Sequence, residues 1–172
     1  MNYSELFHTI SVRLIISLPD RSNSTGSGCF IIVSEEGKDP SVAKTKFFIL
    51  TNKHVAANGN TLHFKVNYRD SNLNALPIQL DNLHNFIINH PDPLIDLCLI
   101  DITEIMIKAR SQDLNLEWKF LTRQNVLSAS TVEEIKVVEN ILMVGYPNSL
   151  MDETNNKPLI RSGITATKAS IR

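Results

Sequence analysis

Two residues of this chain are placed to do acid–base chemistry. His54 follows the run Phe47-Phe48-Ile49-Leu50-Thr51-Asn52-Lys53, and Asp96 stands 42 residues further on, ahead of Leu97-Cys98-Leu99-Ile100. An imidazole, with an ordinary pKa of about 6.5, can take up and return a proton near neutrality. A carboxylate bonded to its second ring nitrogen fixes the tautomer and stabilises the imidazolium. A lone histidine is more commonly a structural or surface residue, and an aspartate in a proline-rich segment more commonly closes a turn. Position argues otherwise here. Each residue stands at the end of an apolar run, and a carboxylate on the edge of a core strand is costly unless it is paired.

The elements that must present them follow from the pattern. Four large apolar residues without helical spacing, then a polar triplet and Ala56-Ala57-Asn58-Gly59, predict a core strand that opens into a turn with His54 on its rim. Gly26-Ser27-Gly28-Cys29-Phe30-Ile31-Ile32-Val33 predicts a glycine-rich turn entering a strand, after a polar turn over 20–26. His90-Pro91-Asp92-Pro93-Leu94-Ile95 predicts a loop that delivers Asp96 to the mouth of a strand over 96–102. Further strands are expected over 9–17, 61–68 and within 76–88, with a charged loop at 35–40. On 61–68 the alternation turns His63 and Lys65 outward together.

Six short strands with turn signals between them suggest a small antiparallel barrel, whose closure leaves no open edge. Thr103 to Arg110 reads as a short helix with Thr103 as N-cap, and Asp101 as solvated. Residues 111–134 read as a connector anchored by Trp118, Phe120 and Leu121. Strands are expected again over 135–144 and 158–167, around the turn Gly145-Tyr146-Pro147. Phe47 and Met143 read as core.

The order Gly-x-Gly-x-Phe (Gly26 to Phe30), Leu-Thr-Asn-x-His-Val (Leu50 to Val55) and His-Pro-x-x-x-x-Asp-Leu-x-Leu-Ile (His90 to Ile100) resembles the amino-terminal half of the trypsin-like, chymotrypsin-fold serine peptidases. Val-Gly-Tyr-Pro at 144–147 and Ile160-Arg161-Ser162-Gly163 resemble the opening strands of that family's second barrel. The resemblance implies a mainly β protein: a first antiparallel barrel over 1–103, a connector with a short helix over 104–134, and the first strands of an incomplete second barrel over 135–172. It implies His54 as general base and Asp96 as its orienting partner. Asp92, three residues into the same loop and between two prolines, is the rival partner. The implied partner is a peptide or protein substrate, with no cofactor. The disulfide that often staples the histidine loop in secreted members is missing, since Val55 follows the histidine.

No Gly-x-Ser-Gly sequence supplies the family's nucleophile. After Asp96 the serines are Ser111, Ser128, Ser130, Ser149, Ser162 and Ser170, and Arg161-Ser162-Gly163 resembles a structural strand instead. The expectation is a serine endopeptidase whose nucleophile and oxyanion hole lie in further parts of the protein beyond Arg172. The alternative is a non-catalytic peptide-binding or regulatory module on the same fold.

Composition narrows the rest. Seventeen basic and eighteen acidic residues give a net charge of −1, with no basic stripe for nucleic acid. The N-terminus lacks a basic leader, Leu14-Ile15-Ile16 is too short for a signal sequence, and no run approaches a membrane span; a soluble, cytoplasmic protein is expected if Met1 is the native start. Cys29 and Cys98, in apolar strand contexts, read as reduced and buried. The grouping His84, His90, Asp92 and Asp96 matches no strong zinc spacing. Gly26 and Gly28 lack the helix and the Lys-Ser/Thr that a phosphate loop needs.

Overall fold

The computed structural model describes residues 3–35, 44–69 and 75–167. The charged loop expected over 35–40 lies, beyond Glu35, outside the described residues. The chain is mainly β. Seven strands, β1 (Ser11–Ser17), β2 (Asn23–Glu35), β3 (Lys44–Thr51), β4 (Thr61–Val66), β5 (Leu76–Asp81), β6 (Ile87–Asn89) and β7 (Cys98–Asp101), form one sheet ordered β5-β4-β1-β2-β3-β7-β6. Every pairing in it is antiparallel.

The sheet curls because its inward side chains share one core. Along β1, Val12, Leu14 and Ile16 are buried while Arg13 and Ile15 face out. They meet Leu62, Phe64 and Val66 of β4, Ile49 of β3 and Ile100 of β7 in a single apolar cluster. Strands far apart in the sheet order can contact the same cluster only if the sheet bends round it. The two edge strands reach it as well, through Ile78 of β5 and Ile87 of β6. Those edges are not paired to each other among the described residues, so the product is a half-barrel where a closed barrel was expected.

Local chemistry explains where other elements depart from expectation. A helix, α1 (Tyr3–Ile10), takes the start of the first expected strand, and the Thr9 hydroxyl donates to Leu6 O at 2.9 Å within it. The strand expected within 76–88 is two, broken where Asn82 adopts a left-handed conformation (φ 53°) and a 3-10 turn sinks Leu83 into the core. Gly26 and Gly28 lie inside β2, not in a turn before it. A Cβ on Gly26 would sit 2.6 Å from Val55 Cγ1, and one on Gly28 would sit 2.5 Å from Ile49 Cγ2, so these positions are glycine for close packing. After β3 the chain makes a single helical turn, α2 (Lys53–Ala56).

Helix α3 (Thr103–Ser111) forms where expected, but its start is capped differently. Asp101, expected to be solvated, accepts the Thr103 N–H at 2.9 Å. The Thr103 hydroxyl instead accepts the Phe47 N–H at 3.0 Å and ties the helix to β3. The connector beyond it is anchored as expected. Leu121 N–H donates to Phe30 O and Leu121 O accepts from Ile32 N–H, both at 2.9 Å, using the length of β2 that β1 leaves unpaired. Phe120 packs between Phe30 and Phe47, tilted to the first and edge-on to the second, at 5.5 and 5.0 Å between ring centroids.

A short helix, α4 (Ala129–Glu134), capped by the Ser128 hydroxyl accepting from Thr131 N–H, precedes the second sheet. That sheet is a hairpin of β8 (Asn140–Gly145) and β9 (Leu159–Ile164). β8 starts later than the expected 135 because α4 and the turn after it occupy that stretch. Met143, expected in the core, is 65% exposed. Among the described residues the hairpin docks at its loop end: Tyr146 is 4% exposed, its N–H donates to Ser27 Oγ at 2.8 Å, and Ser149 Oγ donates to Thr25 Oγ1 at 2.9 Å.

Candidate active site

The two strand ends that carry the site are neighbours by register. Thr51, the last residue of β3, pairs with Cys98, the first of β7. His54 stands three residues after Thr51 and Asp96 two before Cys98, so antiparallel pairing brings them to one corner of the sheet. His54 itself lies in the helical turn α2. Val55 and Ala56 of that turn are buried, Val55 against Gly26, whereas the His54 side chain is 71% exposed. The backbone is therefore held while the ring stays open to solvent.

Asp96 clasps His54 twice. Its Oδ2 lies 2.5 Å from the ring Nδ1, and its Oδ1 accepts the His54 backbone N–H at 3.0 Å. Those bonds, the ring's first, hold the Asp96 carboxyl below its ordinary pKa. An ionised carboxylate only accepts, so the ring proton of a neutral His54 sits on Nδ1. Nε2 then carries the free lone pair, and it makes no hydrogen bond among the described residues. A nitrogen so placed can accept a proton from a donor that reaches it.

The loop that carries Asp96 is fixed from the histidine side by residues that pattern reading passed over. Asn52 Nδ2 donates to Asp96 O at 2.8 Å, and Lys53 Nζ donates to Asp92 O at 3.0 Å. The only signal was their place between strand and histidine. An asparagine just before a helical turn suggests an N-cap, yet the Asn52 side chain makes no capping bond. Asp92 does not approach the ring; its Oδ1 accepts the Leu94 N–H at 2.9 Å in a local turn. Asp96 is 47% exposed and Leu97 faces solvent, so pairing, not a core edge, holds the carboxylate. Leu94, Ile95 and Leu97 leave an apolar rim beside the pair.

The other candidates fall elsewhere. His84 is exposed in the 3-10 turn after β5, and His90 Nδ1 accepts the Asp92 N–H at 3.1 Å. Among the described residues no grouping of His, Cys, Asp and Glu could hold a metal ion. Cys29 and Cys98 are free thiols whose pKa values burial pushes up, so neither is a ready nucleophile. Ser162 lies on β9 opposite Leu142. Among the described residues no helix is long and apolar enough to cross a membrane. No family model, curated protein or solved structure matches this chain, so its functional reading rests on residues and geometry.

Proposed function

We propose that His54 and Asp96 are the base and orienting acid of a Ser-His-Asp hydrolase, a serine endopeptidase of the trypsin-like type acting on peptide or protein substrates in the cytoplasm. The observation that carries this reading is the clasp: Asp96 occupies Nδ1 and the backbone N–H of the same histidine, leaving Nε2 open. A surface ion pair needs neither the second bond nor the free nitrogen. In the reaction, Nε2 takes the proton of a serine hydroxyl as it attacks the scissile carbonyl, then returns it to the leaving amine while Asp96 steadies the imidazolium. The nucleophile is placed outside these 172 residues, because no serine after Asp96 stands in a Gly-x-Ser-Gly context. The mainly β fold and the hairpin that follows the connector support this reading, while the open half-barrel departs from the closed first barrel that the resemblance implies.

The second reading, a non-catalytic peptide-binding module, is favoured by one observation: no described serine reaches His54 Nε2. Labelling by a serine-directed fluorophosphonate separates the two. The 172-residue chain should not react. A chain extended through any following coding sequence should react, and His54→Ala should abolish the reaction. Strong labelling of the short chain would place the nucleophile within it; a stop codon after Arg172 would leave the binding-module reading.

A further inference from the structure

The outward pair His63 and Lys65 has no part in that chemistry, and it lines a recess of about 1090 Å³. The floor of this recess is the outer face of three adjacent strands. Register sets Ile15 of β1 beside His63 of β4, His63 beside Gln79 of β5, and Lys65 beside Pro77. Arg13, two residues before Ile15, points to the same side. The wall is the loop over 151–157, pinned by Asn156 Nδ2 donating to Asn67 Oδ1 at 3.0 Å and Asn67 Nδ2 donating to Asn155 O at 3.0 Å. His54 and Asp96 do not line it.

Charge in this recess is unbalanced at close range. Arg13 Nε is buried without a partner among the described residues, and Nη1 meets only the Met151 sulfur, a weak acceptor, at 3.4 Å. Lys65 and Lys157 border the same space. Glu117 and Glu153 border it too, yet the only ion pair among the described residues is His54 with Asp96. A partly buried guanidinium that lines a cleft and is paired by neither of its carboxylates can take an external anion. The two acids keep the summed charge of the lining low, which disfavours a polyanion. Ile15 and Pro77, on the outer face, add apolar contact.

We propose that the outer face of β1, β4 and β5, walled by the 151–157 loop, is a binding cleft for a ligand that carries a single carboxylate or phosphate group on an apolar body, with Arg13 as its principal contact and Lys65 and Lys157 beside it. The site stands apart from the histidine corner and does not depend on the peptidase reading. Three probes test it on the 172-residue chain by NMR titration: N-acetylphenylalanine, its neutral amide, and inorganic phosphate. The expected result is saturable shifts at Arg13, His63 and Lys65 with the acid, at least about tenfold weaker binding of the amide, and a similar loss in Arg13→Gln, the value of a charge-assisted bond. Competition by phosphate would show that the bare anion is enough; failure to compete would assign the cleft to carboxylates. Lys65→Gln, at an exposed side chain, should weaken binding about threefold even if Arg13→Gln does not fold. His54→Ala should leave it unchanged. Absence of saturable binding by both the acid and phosphate, equal binding of acid and amide, or affinity indifferent to both Arg13→Gln and Lys65→Gln would overturn the proposal.

Discussion

On β3, Phe47, Phe48 and Ile49 are all buried; on β8, Ile141, Leu142 and Met143 are all exposed. The two triplets are alike in sequence and both are strand, yet one is enclosed and the other has neither face covered. The difference lies in what other parts of the chain bring to them. β3 is flanked on both edges, by β2 and β7, and α3 lies across it with the Arg110 guanidinium 5.1 Å from the centre of the Phe47 ring. Among the described residues β8 has one strand beside it, and Gly145 and Tyr146 are where it meets the first sheet. Apolar strand residues therefore mark where cover is needed, and only a second layer decides where it exists.

The largest expected effect is on this contrast directly. Ile49→Ala empties a site with no exposure and should cost about 2–5 kcal/mol in urea unfolding. Met143→Ala, on the open hairpin, should change stability by less than about 0.5 kcal/mol. A Met143 variant as damaging as the Ile49 variant would mean that the hairpin is covered in solution, by another copy of the chain or by a partner.

A smaller effect should appear where the two sheets meet. A Cβ on Gly145 would lie 2.7 Å from Ser27 Oγ, the atom that accepts the Tyr146 N–H. Gly145→Ala should break that bond and cost about 1–2 kcal/mol. Amide exchange should quicken in β8 and β9 and stay slow in β1 and β4. Gly163→Ala is the control, because its nearest neighbour, Ile141 Cγ1, is 3.7 Å away. If both variants behave alike, the docking at Ser27 does not hold the hairpin.

Pattern and order made the strands of the first sheet readable, and with them the corner where β3 and β7 end. That His54 and Asp96 belong together came from the resemblance carried by the order of the three motifs, and the pairing of β3 with β7 supplies the physical reason they meet. What stayed hidden depends on contacts between distant residues. Gly26 and Gly28 look like a turn until Val55 and Ile49 are seen against them. The break at Asn82 is a left-handed residue inside an otherwise apolar run. Thr103 has the chemistry of an N-cap, and it serves β3 because Asp101 already bonds its N–H. Arg13 gives no sign in sequence that its guanidinium lacks a carboxylate.

The smallest effect tests the histidine corner without any reaction. Asp96 is held below its ordinary pKa chiefly by the bond to the His54 ring and then by the His54 backbone N–H. A carboxyl depressed in the folded state stabilises the fold above its unfolded pKa of about 3.9, and that contribution disappears as pH falls through the lower folded value. The pair is exposed, so the change in global stability should be slight. The local readout is sharper. Following the Asp96 carboxyl carbon by NMR from neutral to strongly acid pH should give a midpoint below the usual aspartate range in the wild type. His54→Ala removes the ring and keeps the backbone N–H, so the midpoint should rise only part of the way back. An Asp96 midpoint identical in the two proteins would show that the clasp is not populated in solution, and the corner would then be no better placed for proton transfer than any exposed histidine.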